Sequence, residues 1–256
     1  MKKNKWIFIR GLGRGHGHWG TFISQFESAV PDDRVYWLDL PGNGILNKQK
    51  SPLSIPEYIA SLEVQLKATD FFQIDGPTYG VGLSLGAMVL TEWTQQRRQQ
   101  FDKIFLINTS AANFSKPWRR ISIQVLVNSV KQLLTARTEK FELNSLLFTT
   151  NLNEKKITTE YKKSFEKVIQ FSNDFPIKKM NIFRQLIAAS KYFFPEQQSC
   201  SVILLRGACD RFVNSQCSVD IQNRWGCVLE THPSAGHDIA FEDAGWVIGQ
   251  LKNGIV

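Results

Sequence analysis

The chain is poor in sulfur and in histidine. Its 256 residues include four cysteines, three methionines and four histidines. The cysteines are Cys200, Cys209, Cys217 and Cys227, all in the last quarter and with no Cys-x-x-Cys pair. That pattern favours reduced, mostly buried thiols over a disulfide framework or a metal site. Long apolar runs are also missing, and none approaches the ~20 residues that a membrane-spanning helix needs. Near the start, MKKNKWIFIRG has only Trp6, Ile7, Phe8 and Ile9 in an unbroken apolar stretch. A secretory core needs about 7–15, so the stretch reads as a first strand and the expected location is cytoplasmic. Neither an internal repeat nor a low-complexity tract is present.

Acidic residues are scarce in one place. Residues 116–195 hold fifteen Lys and Arg against six Asp and Glu, an excess of nine, while the formal net charge of the whole chain is +8. The bland reading of this segment is solvated lysine-rich helix faces. The sharper one is attraction for an acidic partner such as a carrier protein, coenzyme A or an anionic membrane surface. No recognised nucleic-acid-binding motif accompanies the basic residues, so nucleic acid is not expected.

What is present is an ordinary soluble composition, 43% hydrophobic and 21% charged, in a chain long enough for one large domain. Short apolar strands are expected at 5–10, 34–40, 77–84, 103–110, 201–207 and 226–232. Helical spacing is expected at 19–30, 54–68, 85–98, 214–223 and 240–252. Near-continuous apolar strands alternating with helices imply an α/β fold with a parallel sheet covered on both faces. The alternation is interrupted between 116 and 195, where only helical stretches are legible, near 118–135, 139–149, 154–172 and 177–193. The division is therefore a core of 1–115 and 196–256 with an inserted helical segment, 116–195.

One stretch carries chemistry. GVGLSLGAMV places Ser84 between Gly82 and Gly86, where a buried strand meets a helix. A serine hydroxyl is a weak nucleophile and needs a base and oxyanion donors. A sharp strand-to-helix turn exposes it and aims the next amide at the reacting carbonyl, and its tightness demands small residues two before and two after. The alternative is a purely structural turn.

With this motif the chain resembles the α/β-hydrolase family over nearly its whole length. The resemblance implies a triad ordered nucleophile, acid, histidine. RGACDRFVN supplies Asp210 after a late strand, and HPSAGHDIAF supplies His237 after the last one. His232 is the alternative base, and Asp238 and Asp220 are the alternative acids. The resemblance further implies backbone oxyanion donors at Leu12 and Leu85. It makes residues 116–195 a four-helix cap over the pocket, of which Trp118, Leu126, Leu134, Leu147, Phe148, Phe165 and Phe183 are candidate wall residues. Arg10 stands where family members carry histidine. DLPGNG (39–44) is similar to the family's supporting loop after the second strand.

The glycine-rich loop RGLGRGHGHWG imitates a nucleotide loop, but His16 occupies the position of the third glycine, so dinucleotide binding is not expected. His16 and His18 have no evident third metal ligand. His16 and His18 are instead expected to line the pocket entrance, and His16, Trp19 and Trp118 to contact substrate. The expectation is a six-stranded parallel sheet and a cofactor-free serine esterase, distantly resembling carrier-protein methyl ester esterases. The acidic-carrier or acyl-CoA partner belongs to that comparison. A thioesterase, a carbon–carbon hydrolase, an acyltransferase and a non-catalytic binding module remain alternatives.

Overall fold

The computed structural model describes residues 3–122 and 138–255. Six strands build one sheet: β1 (Lys5–Ile9), β2 (Arg34–Leu38), β3 (Thr78–Leu83), β4 (Lys103–Ile107), β5 (Ser201–Gly207) and β6 (Val228–His232). Their order is β2-β1-β3-β4-β5-β6. Every neighbouring pair is parallel.

Side chains alternate across the sheet and feed two cores. From β1, Ile7 and Ile9 point to one face, where they join Leu62, Leu66 and Trp93 from the helices at Ile59–Lys67 (α2) and Leu85–Gln96 (α3). Trp6 and Phe8 point to the other, where they meet Phe22 and Phe26 of the Phe22–Ala29 helix (α1) and Val247 and Leu251 near the C-terminus. Burying each such side chain contributes about 1.5–3 kcal/mol. The second core is aromatic. The Phe8 ring lies 4.8 Å from Phe26 and 4.3 Å from Trp37.

The order reverses between β1 and β3, because β1 leads outward to β2 and β3 leads the other way to β4. A crevice opens at such a reversal, beyond the carboxyl ends of the strands. The loop after β1 and the turn after β3 both lie there.

Between β4 and β5 the described chain is helical. It has a short helix at Pro117–Arg120 (α4), then Thr138–Thr149 (α5), Glu154–Thr158 (α6), Lys162–Asp174 (α7) and Lys179–Lys191 (α8). Most of the helix expected at 118–135, with Leu126 and Leu134, lies outside the described residues. The stretch expected as one helix at 154–172 is two, with a break at 159–161. Leu146, Ile157, Phe165 and Val168 form a small core of their own, closed by Phe241 from the far end of the chain.

Two other boundaries differ from the expected pattern. The helix expected from Trp19 starts only at Phe22, because Gly20 takes φ +59° and ends a short 3₁₀ turn over His16–Trp19. The last helix is split at Asp243, whose carboxylate accepts from the Trp246 amide and caps Ala244–Asn253.

Candidate active site

Ser84 sits between β3 and α3 with φ 56° and ψ −115°. A non-glycine residue rarely takes a positive φ, and the surroundings hold it there. Its amide donates to the Ile107 carbonyl at 2.8 Å, and its own carbonyl accepts from Thr109 Oγ1 at 3.0 Å. The flanking glycines are steric necessities. A Cβ on Gly82 would lie 2.6 Å from Ala87 Cα, and one on Gly86 would lie 2.4 Å from the Ile9 carbonyl oxygen.

Asp210 follows β5 in a tight turn. One carboxylate oxygen accepts from the amides of Phe212 and Val213, at 2.8 and 2.9 Å. The other meets His237 Nδ1 at 2.7 Å. The Asp210 and His237 side chains are almost wholly buried. This contact engages Nδ1 and leaves Nε2 as the other ring nitrogen of His237. Ser84 and His237 line the same cavity, with Leu12, Phe141, Phe148, Ile177, Ile182 and Phe212 supplying much of its apolar wall.

The alternative acids and base have other partners. Asp238 is bound at both oxygens by the Arg10 guanidinium, at 2.9 and 2.6 Å. Burial alone would push the Asp238 carboxyl up, but the facing guanidinium outweighs it and holds the group below the usual range. Asp220 accepts from Gln216 one turn earlier on its own helix. His232 Nε2 faces Asp243 at 3.2 Å.

Of the residues expected to contact substrate, His16, Trp19 and Trp118, none lines this cavity, nor does His18. Trp19 is buried in the aromatic core against Phe8 and Phe22, with the Arg10 guanidinium 4.7 Å above its ring. Trp118 is 67% exposed, with the Lys116 ammonium 5.4 Å from its ring centre. His16 Nδ1 meets Asp39 Oδ2 at 2.9 Å. Asp39 in turn accepts from the Ile45 amide, so the DLPGNG loop braces the glycine-rich one. Of the other wall candidates, Phe148 lines the cavity, Leu147 and Phe165 pack in the small helical core, and Phe183 is exposed.

Sequence reasoning passed over three polar groups near the site. Asn108, at the end of β4, has φ 46°. Its side-chain amide donates to the carbonyls of Gly236 and His237 and accepts from the Gly207 amide. It therefore ties the acid and histidine loops together. An asparagine after a strand, a residue type that tolerates the left-handed region, was the available signal. Glu142, on α5, pairs with Arg14 and accepts from Ser172 Oγ at 2.7 Å. Burial alone would raise its carboxyl, but Arg14 and His18 bring it down to about 2. His18 Nε2 reaches the same Ser172 hydroxyl, and burial, with Arg14 nearby, lowers its pKa. The third group is Gln185 on α8, whose Oε1 accepts from the Gly13 amide at 2.8 Å.

Residues 6–250 match the model of the alpha/beta hydrolase family. The chain belongs to that family. Its fold is similar to that of an esterase from Exiguobacterium antarcticum, with a TM-score of 0.77 at 11% identity, covering 99% of this chain and 92% of the esterase. The type II thioesterase BorB from the borrelidin biosynthetic cluster superposes with a TM-score of 0.66 at 18% identity, over 99% and 93% of the two chains. In sequence, a 93-residue stretch is 28% identical to phospholipase YtpA of Bacillus subtilis strain 168. That stretch is 36% of this chain and 34% of the phospholipase. This alpha/beta hydrolase has no helix among its described residues that is long and apolar enough to cross a membrane.

Proposed function

We propose that the protein hydrolyses a carboxylic ester through a Ser84 acyl-enzyme, with His237 as general base and Asp210 as the acid that orients it. The observation that carries this reading is the 2.7 Å contact between Asp210 Oδ2 and His237 Nδ1 beside a serine in a strained turn on the same cavity. His237 takes the serine proton as Oγ attacks the carbonyl carbon, then gives it to the departing alcohol. Water repeats the sequence and releases the acid. Asp210 stays ionised, fixing the ring's tautomer and stabilising the imidazolium.

The developing oxyanion is received by the backbone amides of Leu12 and Leu85. A Cβ on Gly11 would stand 3.1 Å from Ser84 Cβ, so the loop after β1 runs against the nucleophile, as this role requires. Residues 116–195 act as a cap, and their Phe141, Phe148, Ile177 and Ile182 make the pocket apolar. An apolar acyl or alcohol group is the substrate part that fits. Exposed lysines on the cap, among them Lys155, Lys156, Lys162, Lys163 and Lys167, favour an anionic carrier of that group, such as an acidic carrier protein or coenzyme A.

Turnover of p-nitrophenyl esters of graded length by the parent and by Ser84→Ala tests the reading. Hydrolysis by the parent alone supports it, and the length profile sizes the pocket. Faster turnover of the matching thioester moves the substrate class to thioesters on the same residues. Equal turnover by both proteins contradicts the reading.

A further inference from the structure

We infer that Gln185 is a positioning residue for the oxyanion loop, so that seating of the cap helix α8 sets the competence of Ser84 for catalysis. This rests on the assignment of Leu12 as an oxyanion donor.

The loop after β1 folds into a turn in which the Arg14 amide donates to the Gly11 carbonyl at 3.2 Å. Leu12 and Gly13 are its two central residues, and Gly13 takes φ +68°. Glycine with positive φ at the third position is the signature of a type II turn. The Leu12 amide belongs to the Gly11–Leu12 peptide, and Gly11 runs against Ser84, 3.1 Å from its Cβ to where a Gly11 Cβ would be, so that amide is aimed by where the whole turn sits. Something must hold the far end of the turn, at Gly13, in place.

Gln185 does so from helix α8. Its side chain is 0% exposed. Oε1 accepts from the Gly13 amide at 2.8 Å, while Nε2 donates to Asn43 Oδ1 at 2.7 Å and to Ser51 Oγ at 3.0 Å. The contact with Gly13 requires an oxygen, so the amide cannot be flipped without setting N–H against N–H. It also occupies the Gly13 amide, which removes that group as an oxyanion donor and leaves Leu12.

The partners are themselves fixed. Asn43 Nδ2 donates to the Arg14 carbonyl at 3.0 Å, a second hold on the same turn. One helical turn before Gln185, Asn181 accepts from the Ser51 amide at 3.0 Å and donates to the Gln49 carbonyl at 2.9 Å. Ile177 and Ile182 stand against Gly13, within 3.3 and 3.6 Å of where its Cβ would be. Helix α8 is thus joined to the turn by hydrogen bonds and apolar contact together. A buried amide costs free energy unless it is hydrogen-bonded, and this one has all three partners. A shift of α8 breaks or drags the Gly13 contact and lets the turn, with its Leu12 amide, move relative to Ser84.

The test uses Gln185→Met, which keeps length and apolar bulk, and Gln185→Glu, which keeps an oxygen for Gly13. Both are assayed on a p-nitrophenyl ester and on its thiono analogue, whose sulfur makes poorer use of oxyanion donors. Removing one oxyanion donor outright costs about 10²–10³ in kcat, so a misaligned one should cost Gln185→Met about 10-fold or more. KM should stay close to that of the parent, and the preference for oxygen over sulfur should shrink. Gln185→Glu should recover much of the parent kcat. Parent-like kcat and oxygen preference in Gln185→Met overturn the proposal. So does a loss confined to KM, or one equal in both variants with the oxygen preference intact. Should Gln185→Met not fold, Asn43→Ala, which removes a partner of Gln185 and the hold on the Arg14 carbonyl, should show the same fall in kcat and in oxygen preference, and a parent-like ratio there overturns the proposal. Ser84→Ala run in parallel separates the two claims, because turnover that survives it overturns the hydrolase reading and this inference together.

Discussion

Arg10 and Asp238 form a buried two-pronged ion pair, each almost wholly hidden from solvent, that joins the residue before the Gly11–Arg14 turn to the residue after His237. The pair locks two loops of the site at a separation of 228 positions in the chain. Arg10 Nε is buried without a partner among the described residues, so the guanidinium depends on Asp238 for its compensation. Asp238→Ala should destabilise the fold by about 3–5 kcal/mol in urea unfolding, because it leaves a buried charge uncompensated. The double variant Arg10→Met/Asp238→Leu should recover most of that loss. Additive losses in the double variant would contradict the pairing.

Asn108 should matter out of proportion to its size. Asn108→Gly keeps the positive φ at no steric cost but removes both donors and the acceptor. The carbonyls of Gly236 and His237 then lose their partner. A loss of about 1–3 kcal/mol is expected for a buried group left unsatisfied, together with a fall in kcat as the histidine loop loosens. Denaturant titration and initial-rate kinetics on the same preparation check both.

Much of the architecture was legible because it depends on neighbours in sequence. All six strands fall within their expected stretches, since each is a short apolar run that ends in turn-forming residues. Ser84, Asp210 and His237 were legible as candidates because each follows a strand, and the placement of strand ends is what the fold determines. The braces were not legible. Gly13 and Gln185 are 172 positions apart, and a glutamine on a helix face reads as solvated until the helix is docked. Trp19 reads as a pocket residue from its place in the glycine-rich loop, but its ring packs on Phe8 and Phe22, and Phe8 is a partner that only the folded sheet brings near.

Stability should fall in acid through the cluster at Glu142. Its carboxyl lies at about 2 in the folded protein against an ordinary 4.5. The unfolded chain therefore binds more protons in that window, and stabilisation present above pH 4.5 is lost as the pH falls toward 2. His18, lowered from its ordinary 6.5 by burial and Arg14, works in the same direction from that pH downward. Glu142→Gln should flatten the acid limb of a stability–pH curve, and an unchanged limb would contradict this.

Asp210→Asn should leave the fold intact and lower kcat by about 10⁴, the cost of presenting His237 in the wrong tautomer. Asp238→Asn should not reproduce that drop. Comparing kcat for the two variants separates the neighbouring carboxylates by role.

Ser84 as the nucleophile is tested by locating a fluorophosphonate adduct with peptide mass spectrometry. One adduct per chain is expected, on the peptide containing Ser84, with none on Ser84→Ala and slowed labelling of a His237→Ala variant. An adduct on another residue, or labelling that persists in Ser84→Ala at the parent rate, would contradict it.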